Sequence, residues 1–128
     1  MKKLLVVDDE MDICEFLKLF FEERGFVVDT ALTGQDAVQL VEANHPHVVL
    51  LDINMPGMDG MTTLKLIKEK YPQVKVIMVT ALETREKIEE AMRAGADNYI
   101  TKPLSLEYLE KDVQEKVAHL ALSSQPSA

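Results

Sequence analysis

Five short strand-like runs, each followed by a longer amphipathic segment, constrain the fold of this chain more than any other feature. The runs are KKLLVV, FVVDT, HVVLL, VKVIMVT and DNYIT. Runs such as LLVV and VVLL do not alternate with polar residues, which is typical of strands that are buried on both faces. The pattern therefore indicates a βα unit repeated five times. We predict an open, doubly wound α/β domain whose parallel sheet carries helices on both faces.

The amphipathic segments predict five helices. They span residues 11–24, 34–43, 61–71 and 84–94 and the stretch that follows Ser105, a residue that can cap the last helix. Gly25 and Gly95 stand where helix ends favour a left-handed residue. The core positions expected from helical spacing are Ile13, Leu17, Phe20, Phe21, Ala37, Val38, Leu40, Val41, Leu64, Ile67, Leu106, Leu109, Val113, Val117 and Leu120. Two strand orders have precedent, 2-1-3-4-5 and one that begins 3-2-1, and the residue pattern alone does not choose between them.

Composition narrows the class of partner. The chain has 128 residues, which suits one domain, and a formal net charge of −8. This charge argues against direct nucleic acid binding and against anionic membranes, because both attract Lys and Arg. The one cysteine, Cys14, excludes an intrachain disulfide and fits a reducing, cytoplasmic setting. No apolar stretch approaches the roughly 18 residues of a membrane span. We expect one domain over residues 1–121 and a disordered tail, or the start of a linker, over 122–128.

Polar side chains follow the strands at the end where such sheets bind ligands. Asp8 and Asp9 follow the first strand, Asp52 ends the third, Thr80 ends the fourth and Lys102 follows the fifth. If the first and third strands are neighbours, three carboxylates converge on one crevice. Like charges in a crevice need a counter-charge, and Mg²⁺ prefers carboxylates together with water and phosphate oxygens. The sequence therefore indicates a magnesium site at this edge.

Each of these residues also has a simpler structural explanation. Asp8, Asp9 or Glu10 could cap the first helix, and Thr80 could cap the fourth. Asp52 could start a turn, and Lys102 could be an ordinary solvated lysine. The functional interpretation is favoured because all five fall at the same edge of the predicted sheet.

Four motifs at that edge carry a resemblance to a known family. They are VVDDE, LLDINMPGMDG, VTA and YITKP, which follow the first, third, fourth and fifth strands. In order and spacing, over residues 2–120, the chain resembles a receiver domain of the two-component response regulators, of the chemotaxis-regulator type. The resemblance implies a flavodoxin-like sheet of order 2-1-3-4-5. It also implies a phosphorylation-activated signalling switch. Such a domain is expected to catalyse only its own phosphorylation and autodephosphorylation and to be no enzyme otherwise.

The resemblance implies a role for each acidic residue. Asp52 is the expected phosphoacceptor, which takes a phosphoryl group from a sensor histidine kinase or a histidine phosphotransfer protein. Asp9 is the expected direct ligand of Mg²⁺, and Asp8 is expected to bind it mostly through water. Asp52 and the backbone carbonyl of Asn54 are expected to complete the metal site.

The resemblance also implies how the phosphoryl group is held and sensed. Lys102, the Thr80 hydroxyl and the Ala81 amide would contact phosphoryl oxygens, and the Lys102–Pro103 peptide would be cis. Thr80 would move toward the phosphoryl group and Tyr99 would turn inward behind it. The alternative for Tyr99 is a partly buried strand aromatic that does not move. The expected output face consists of the fourth helix, the fifth strand and the fifth helix, for a downstream protein, an output domain of the same protein or a second copy.

A second class of function stays open at this point. A Mg²⁺-dependent phosphohydrolase can also use an aspartyl nucleophile on a similar sheet. Such enzymes usually need an acidic Asp two residues after the nucleophile, where this chain has Asn54, and a cap domain for which this sequence has no segment. A nucleotide-binding module is disfavoured because neither G-x-G-x-x-G nor a P-loop follows the first strand.

Overall fold

A computed structural model describes residues 2–55, 57–80 and 85–123 and shows a five-stranded parallel sheet. The strands are β1 (Lys3–Val7), β2 (Val27–Ala31), β3 (Val48–Asp52), β4 (Lys75–Thr80) and β5 (Asn98–Thr101). They lie in the order β2-β1-β3-β4-β5, and all four pairings are parallel. The predicted doubly wound, flavodoxin-like fold is confirmed, and the order beginning 3-2-1 is excluded.

Helices follow each strand, as the sequence predicts. They are α1 (Met11–Glu22), α2 (Gly34–Asn44), α3 (Gly60–Lys70), α4 (Arg85–Arg93), α5 (Leu106–Tyr108), a π-helical segment (Leu109–Val113) and α6 (Gln114–Ser123). The last three are continuous and are termed the C-terminal helix here. Side-chain oxygens of Thr33, Asp59 and Ser105 cap α2, α3 and α5 by accepting a backbone N–H. Within the described residues, no helix is long and apolar enough to span a bilayer.

Side chains of the strands alternate between two apolar layers, one on each face of the sheet. The first layer packs against α1 and the C-terminal helix and includes Leu4, Val6, Leu50, Ile77, Val79, Ile100, Leu17, Phe21 and Leu109. The second packs against α2, α3 and α4 and includes Leu5, Val7, Val49, Leu51, Met78, Val41, Leu64 and Ile67. Burial on both faces explains why the strands are unbroken apolar runs in the sequence.

Three residues that follow helices adopt a left-handed backbone. Gly25 and Gly95 have φ angles of +91° and +108°, as predicted for the ends of α1 and α4. His45 has a φ of +48° at the end of α2, which the sequence did not indicate. A non-glycine residue pays a steric penalty there, but the His45 N–H gains a hydrogen bond of 3.0 Å to the Val41 carbonyl.

The predicted core positions of the C-terminal helix are partly wrong. Leu106 is 54% exposed, and Leu120 is only partly buried. The buried positions are Leu109, Val113, Val117 and Ala121. They lie four residues apart, a spacing that keeps them on one face of the helix. Leu106 lies in the first turn, before this series begins, and its side chain is exposed.

Candidate functional site

The carboxyl ends of β1 and β3 bring three carboxylates together. Val7 pairs with Leu51, so Asp8 and Asp52 are the next residues of adjacent strands. Carboxylate oxygens of Asp8, Asp9 and Asp52 lie within 4.8 Å of one another. Asp8 and Asp52 are buried, whereas Asp9 is exposed. The convergence expected from the sequence is thus observed, with one of the three acids open to solvent.

The segment after β5 adds an ammonium group to these carboxylates. Nζ of Lys102 lies 3.2 Å from Oδ2 of Asp8 and 3.4 Å from Oδ2 of Asp52. The Lys102 N–H donates to the Thr80 carbonyl at 2.8 Å, which fixes this segment to β4. The Lys102–Pro103 peptide is cis, as predicted. The ammonium therefore bridges the two buried acids.

Backbone amides hold the other oxygen of each buried carboxylate. Oδ1 of Asp8 accepts the Glu10 N–H at 2.9 Å, and Oδ1 of Asp52 accepts the Asn54 N–H at 3.1 Å. In both acids Oδ1 is thus fixed by the residue two positions later, and Oδ2 faces Lys102. This arrangement orients the Asp52 carboxylate before any ligand arrives.

The site contains less positive charge than negative charge. Burial is the main cause that raises the pKa of the Asp52 carboxyl, with Lys102 opposing the rise and Asp8 adding to it. Burial disfavours the Lys102 ammonium too, but the neighbouring Asp52 and Asp8 carboxylates outweigh it and raise the pKa of Lys102. Among the described residues of the site, one ammonium therefore faces three acids, which leaves the site suited to a further cation.

Replacement of Asp52 with Asn is expected to stabilise the fold in a pH-dependent manner. The pKa of Asp52 is raised above its ordinary value of 3.8, so the folded protein is penalised once the pH rises beyond that value. Below about pH 3.8 the carboxyl is protonated in both states and this penalty disappears. Denaturant unfolding in a chelating buffer should show that the advantage of Asp52→Asn grows from about pH 4 to pH 7.

The matched control for this prediction is Asp36→Asn, at an exposed position in the first turn of α2. Because this side chain is exposed, its replacement should not give the stability advantage that is expected for Asp52→Asn. An advantage of Asp52→Asn that does not depend on pH would contradict the electrostatic explanation.

Cys14 packs next to this site but is not a reactive group in it. The thiol is buried and its Sγ lies 3.4 Å from the Asp8 carbonyl oxygen. Burial and the charge of Asp8 raise the pKa of Cys14 to about 11. The thiol therefore stays protonated near neutral pH, and Cys14 acts as a core residue of α1.

Thr80 lies at the carboxyl end of β4, as predicted. Val79 pairs with Asp52, and Thr80 pairs with Thr101 on β5. The Thr80 side chain is buried at this edge of the sheet. Ala81, which was expected to offer its amide, lies outside the described residues. A contact of Thr80 or Ala81 with a phosphoryl group stays a prediction.

Tyr99, the predicted switch residue, lies on β5 with its side chain toward solvent. It is 39% exposed. Nζ of Lys116 on α6 lies 3.3 Å from the Tyr99 carbonyl oxygen and 5.9 Å from the centre of the ring. The structure thus shows Tyr99 in an outward position, and its inward movement stays a prediction.

Two residues near Asp52 were not identified as site residues from the sequence. A Cβ at Gly60 would overlap the Asp52 carbonyl oxygen and the Cα of Ile53, so the loop after β3 can fold back only because position 60 is glycine. A glycine in the first turn of a helix, where it costs helix stability, is the signal that could have found it. The other residue is Lys87 on α4, whose Nζ lies 3.4 Å from Oδ1 of Asn54. The many charged residues of its helix are typical of a solvated face, so the sequence does not indicate this contact.

Residues 4–114 match the response regulator receiver domain family. The receiver domain of the Francisella response regulator 1452 is 32% identical with a TM-score of 0.86, over 98% of this chain and 100% of that one. TrrA from Thermotoga maritima, solved in complex with Mg²⁺ and BeF, is 36% identical with a TM-score of 0.82, over 94% and 99%. NtrX from Brucella abortus is 30% identical with a TM-score of 0.84, over 94% of this chain but 28% of NtrX.

These matches span the whole sheet and the acidic site at its carboxyl edge. The family match alone reaches all five strands. For two of the three structures, the alignment includes nearly all of this chain and nearly all of the other chain. The family acts as a phosphorylation switch in two-component signalling and consists of signalling domains rather than classical enzymes. With this family match, its five-stranded parallel sheet and the acidic cluster at the carboxyl edge, the chain belongs to the response regulator receiver domain family.

Proposed function

We propose that this domain accepts a phosphoryl group on Asp52 in a Mg²⁺-dependent reaction and thereby changes a protein-binding face. The observation that supports this most is the surrounding of the Asp52 carboxylate. It lies within 4.8 Å of the acids Asp8 and Asp9 and 3.4 Å from the Lys102 ammonium. Phosphoryl transfer depends on positioning and on neutralising charge, and this arrangement offers both.

The donor set fits a magnesium ion. Three carboxylates are hard oxygen donors, and the exposed Asp9 leaves room for the water ligands that Mg²⁺ retains. We assign Asp9 as a direct ligand, Asp8 as a ligand mostly through water, and Asp52 and the Asn54 backbone carbonyl as the others. Bound there, Mg²⁺ would supply positive charge to the phosphoryl oxygens. The complex of TrrA with Mg²⁺ and BeF supports this assignment by similarity.

In the proposed reaction, the Asp52 carboxylate attacks the phosphorus of a phosphohistidine on a sensor kinase or phosphotransfer protein. The O–P bond forms as the P–N bond breaks, and the imidazole leaves with the electron pair of that bond. The Asn54 N–H orients the carboxylate, and Lys102 stabilises the charge on a phosphoryl oxygen. The Thr80 hydroxyl and the Ala81 amide are proposed to hold the remaining oxygens. The domain then hydrolyses its own acyl phosphate.

The phosphohydrolase alternative is disfavoured on two grounds. The chain belongs to a family of signalling switches. In addition, the position that would need an acidic Asp holds Asn54, whose Oδ1 accepts a hydrogen bond from Lys87. An amide in this place cannot donate the proton that a leaving group requires.

The switch would work through charge. Phosphorylation adds roughly −1.5 to −2 charges beside Thr80, which moves toward them while Tyr99 turns inward. The face formed by α4, β5 and the C-terminal helix then binds a downstream protein, an output domain or a second copy. This chain spans 28% of NtrX, so a similar domain occurs within a longer regulator. A cytoplasmic location is part of the proposal, and the free thiol of Cys14 agrees with it.

Addition of Mg²⁺ and beryllofluoride, a stable phosphoryl mimic, should shift amide NMR signals in two regions. They are the loop 52–60, where the mimic binds, and residues 85–108, which carry the proposed output face. Asp52→Asn should show neither set of changes, because it lacks the carboxylate that completes the mimic. Changes confined to 52–60 in the wild-type protein would mean that the site binds without switching, and the switch would have to be abandoned.

A further inference from the structure

A shallow cleft separates the loop after β3 from α4. It is lined by Ile53, Asn54, Asp59, Met61, Lys87 and Glu90. One wall belongs to the loop that carries the backbone amide holding Asp52, and the other wall belongs to α4. A side chain that crosses this cleft would therefore contact both α4 and the loop that holds the Asp52 carboxylate.

Lys87 makes that crossing. Its Nζ donates to Oδ1 of Asn54 at 3.4 Å, and the Asn54 N–H donates to Oδ1 of Asp52 at 3.1 Å. One residue thus connects the ammonium on α4 with the phosphoacceptor. The Lys87 ammonium also acts on Asp59, on the other wall of the cleft. The hydrogen bond from the Thr62 N–H is the main cause that lowers the pKa of Asp59, and the Lys87 charge lowers it further.

The two ends of α4 are attached to the rest of the fold unequally. Four residues after α4 ends, the Asp97 carboxylate accepts hydrogen bonds from Lys68 Nζ at 2.7 Å and from the Val76 N–H at 2.9 Å. The Asp97 N–H also donates to the Val76 carbonyl at 2.8 Å. Within α4 the buried residue is Ala91, and the first three positions of the helix are exposed. The segment after α4 is therefore fixed to α3 and β4, whereas the described residues of its first turn are exposed and lie outside the core.

We propose that Lys87 is a positioning residue that transmits the phosphoryl state of Asp52 to the first turn of α4. Without a phosphoryl group, the ammonium binds the neutral amide of Asn54. A phosphoryl group offers about two negative charges, and charge-assisted hydrogen bonds are roughly twice as strong as neutral ones. The ammonium then leaves Asn54 for the phosphoryl oxygens, and the first turn of α4 follows while Asp97 holds the other end.

A difference in contacts between the two states is what allows a ligand to shift a conformational equilibrium. Lys87 supplies such a difference, since its partner is an amide in one state and a phosphoryl group in the other. The inference rests on the proposed function and names one route by which that site reaches the output face.

Lys87→Gln tests the inference, with two matched variants. Arg85→Gln removes one positive charge from the same turn, where Arg85 pairs with Glu89 on the exposed side of α4. Lys87→Arg keeps the charge at position 87. Each protein is titrated with beryllofluoride in Mg²⁺ while amide shifts are followed in the loop 52–60 and in residues 85–93.

Lys87→Gln is expected to bind the mimic about 1.5- to 5-fold more weakly, the size of an exposed charge contact, and to lose most of the shift in residues 85–93. Arg85→Gln should keep the wild-type shift there, and Lys87→Arg should restore it. An unchanged α4 response in Lys87→Gln, or an equal loss in Arg85→Gln, would overturn the role of Lys87. A wild-type protein that shows no response in the loop 52–60 would overturn the proposed function itself, and the role of Lys87 with it.

Discussion

Lys102→Met is expected to slow phosphoryl uptake by about 10²- to 10³-fold, the usual cost of removing one preorganised donor from developing negative charge. The Lys102 ammonium lies 3.2 Å from Asp8 and 3.4 Å from Asp52, so it is in place before the phosphoryl group arrives. The methionine side chain has a similar length but no charge. The rate is measured by mass spectrometry of the intact protein after mixing with acetyl phosphate and saturating Mg²⁺.

Lys111→Met is the matched control for this prediction. Lys111 lies on the π-helical segment and pairs with Glu107 at the surface, where both side chains are more than 70% exposed. Its replacement should leave the rate of phosphoryl uptake unchanged. A Lys102→Met protein that reacts within about threefold of the wild-type rate would show that Lys102 does not stabilise the transferring group.

Lys102→Met also has an expected effect on the fold. Without the ammonium, Asp8 and Asp52 are two buried carboxylates that share no counter-charge. An uncompensated buried charge is strongly destabilising. The variant should therefore be less stable than wild type in a chelating buffer, and saturating Mg²⁺ should reduce this difference.

The sheet and the position of the acids could be predicted because they follow from local pattern and general topology. Strands buried on both faces must lie inside two helical layers, and parallel strands end at the same edge. Asp8 and Asp52 were placed at that edge for this reason. Periodicity identifies the buried positions but not which strands are neighbours, so the order 2-1-3-4-5 came from the family resemblance.

The features that could not be predicted depend on contacts between distant parts of the chain. Leu106 is exposed in the first turn of the C-terminal helix although it lies three residues before the buried Leu109, and no local pattern indicated this. Gly60 is required by the backbone of β3, which it meets only in the folded protein. The contact of Lys87 with Asn54 joins segments that lie 33 residues apart, so no local pattern indicates it.

Asp52→Asn is expected to abolish phosphoryl uptake completely. The substitution preserves the size of the side chain and one oxygen that can accept the Asn54 N–H. A neutral amide, however, is a much weaker nucleophile than a carboxylate. A chelator should abolish labelling of the wild-type protein in the same way if the three acids hold the required metal. Asp36→Asn, on the exposed face of α2, should be labelled as well as wild type.

Identification of the residue that carries the phosphoryl group tests the central claim most directly. Wild-type protein is incubated with acetyl phosphate and Mg²⁺, the acyl phosphate is trapped by borohydride reduction, and the modified residue is located by peptide mass spectrometry. We predict that the modification lies at Asp52 alone and is lost in the presence of a chelator. Modification of a different residue, or labelling that persists undiminished in Asp52→Asn, would contradict the assignment of Asp52 as the phosphoacceptor.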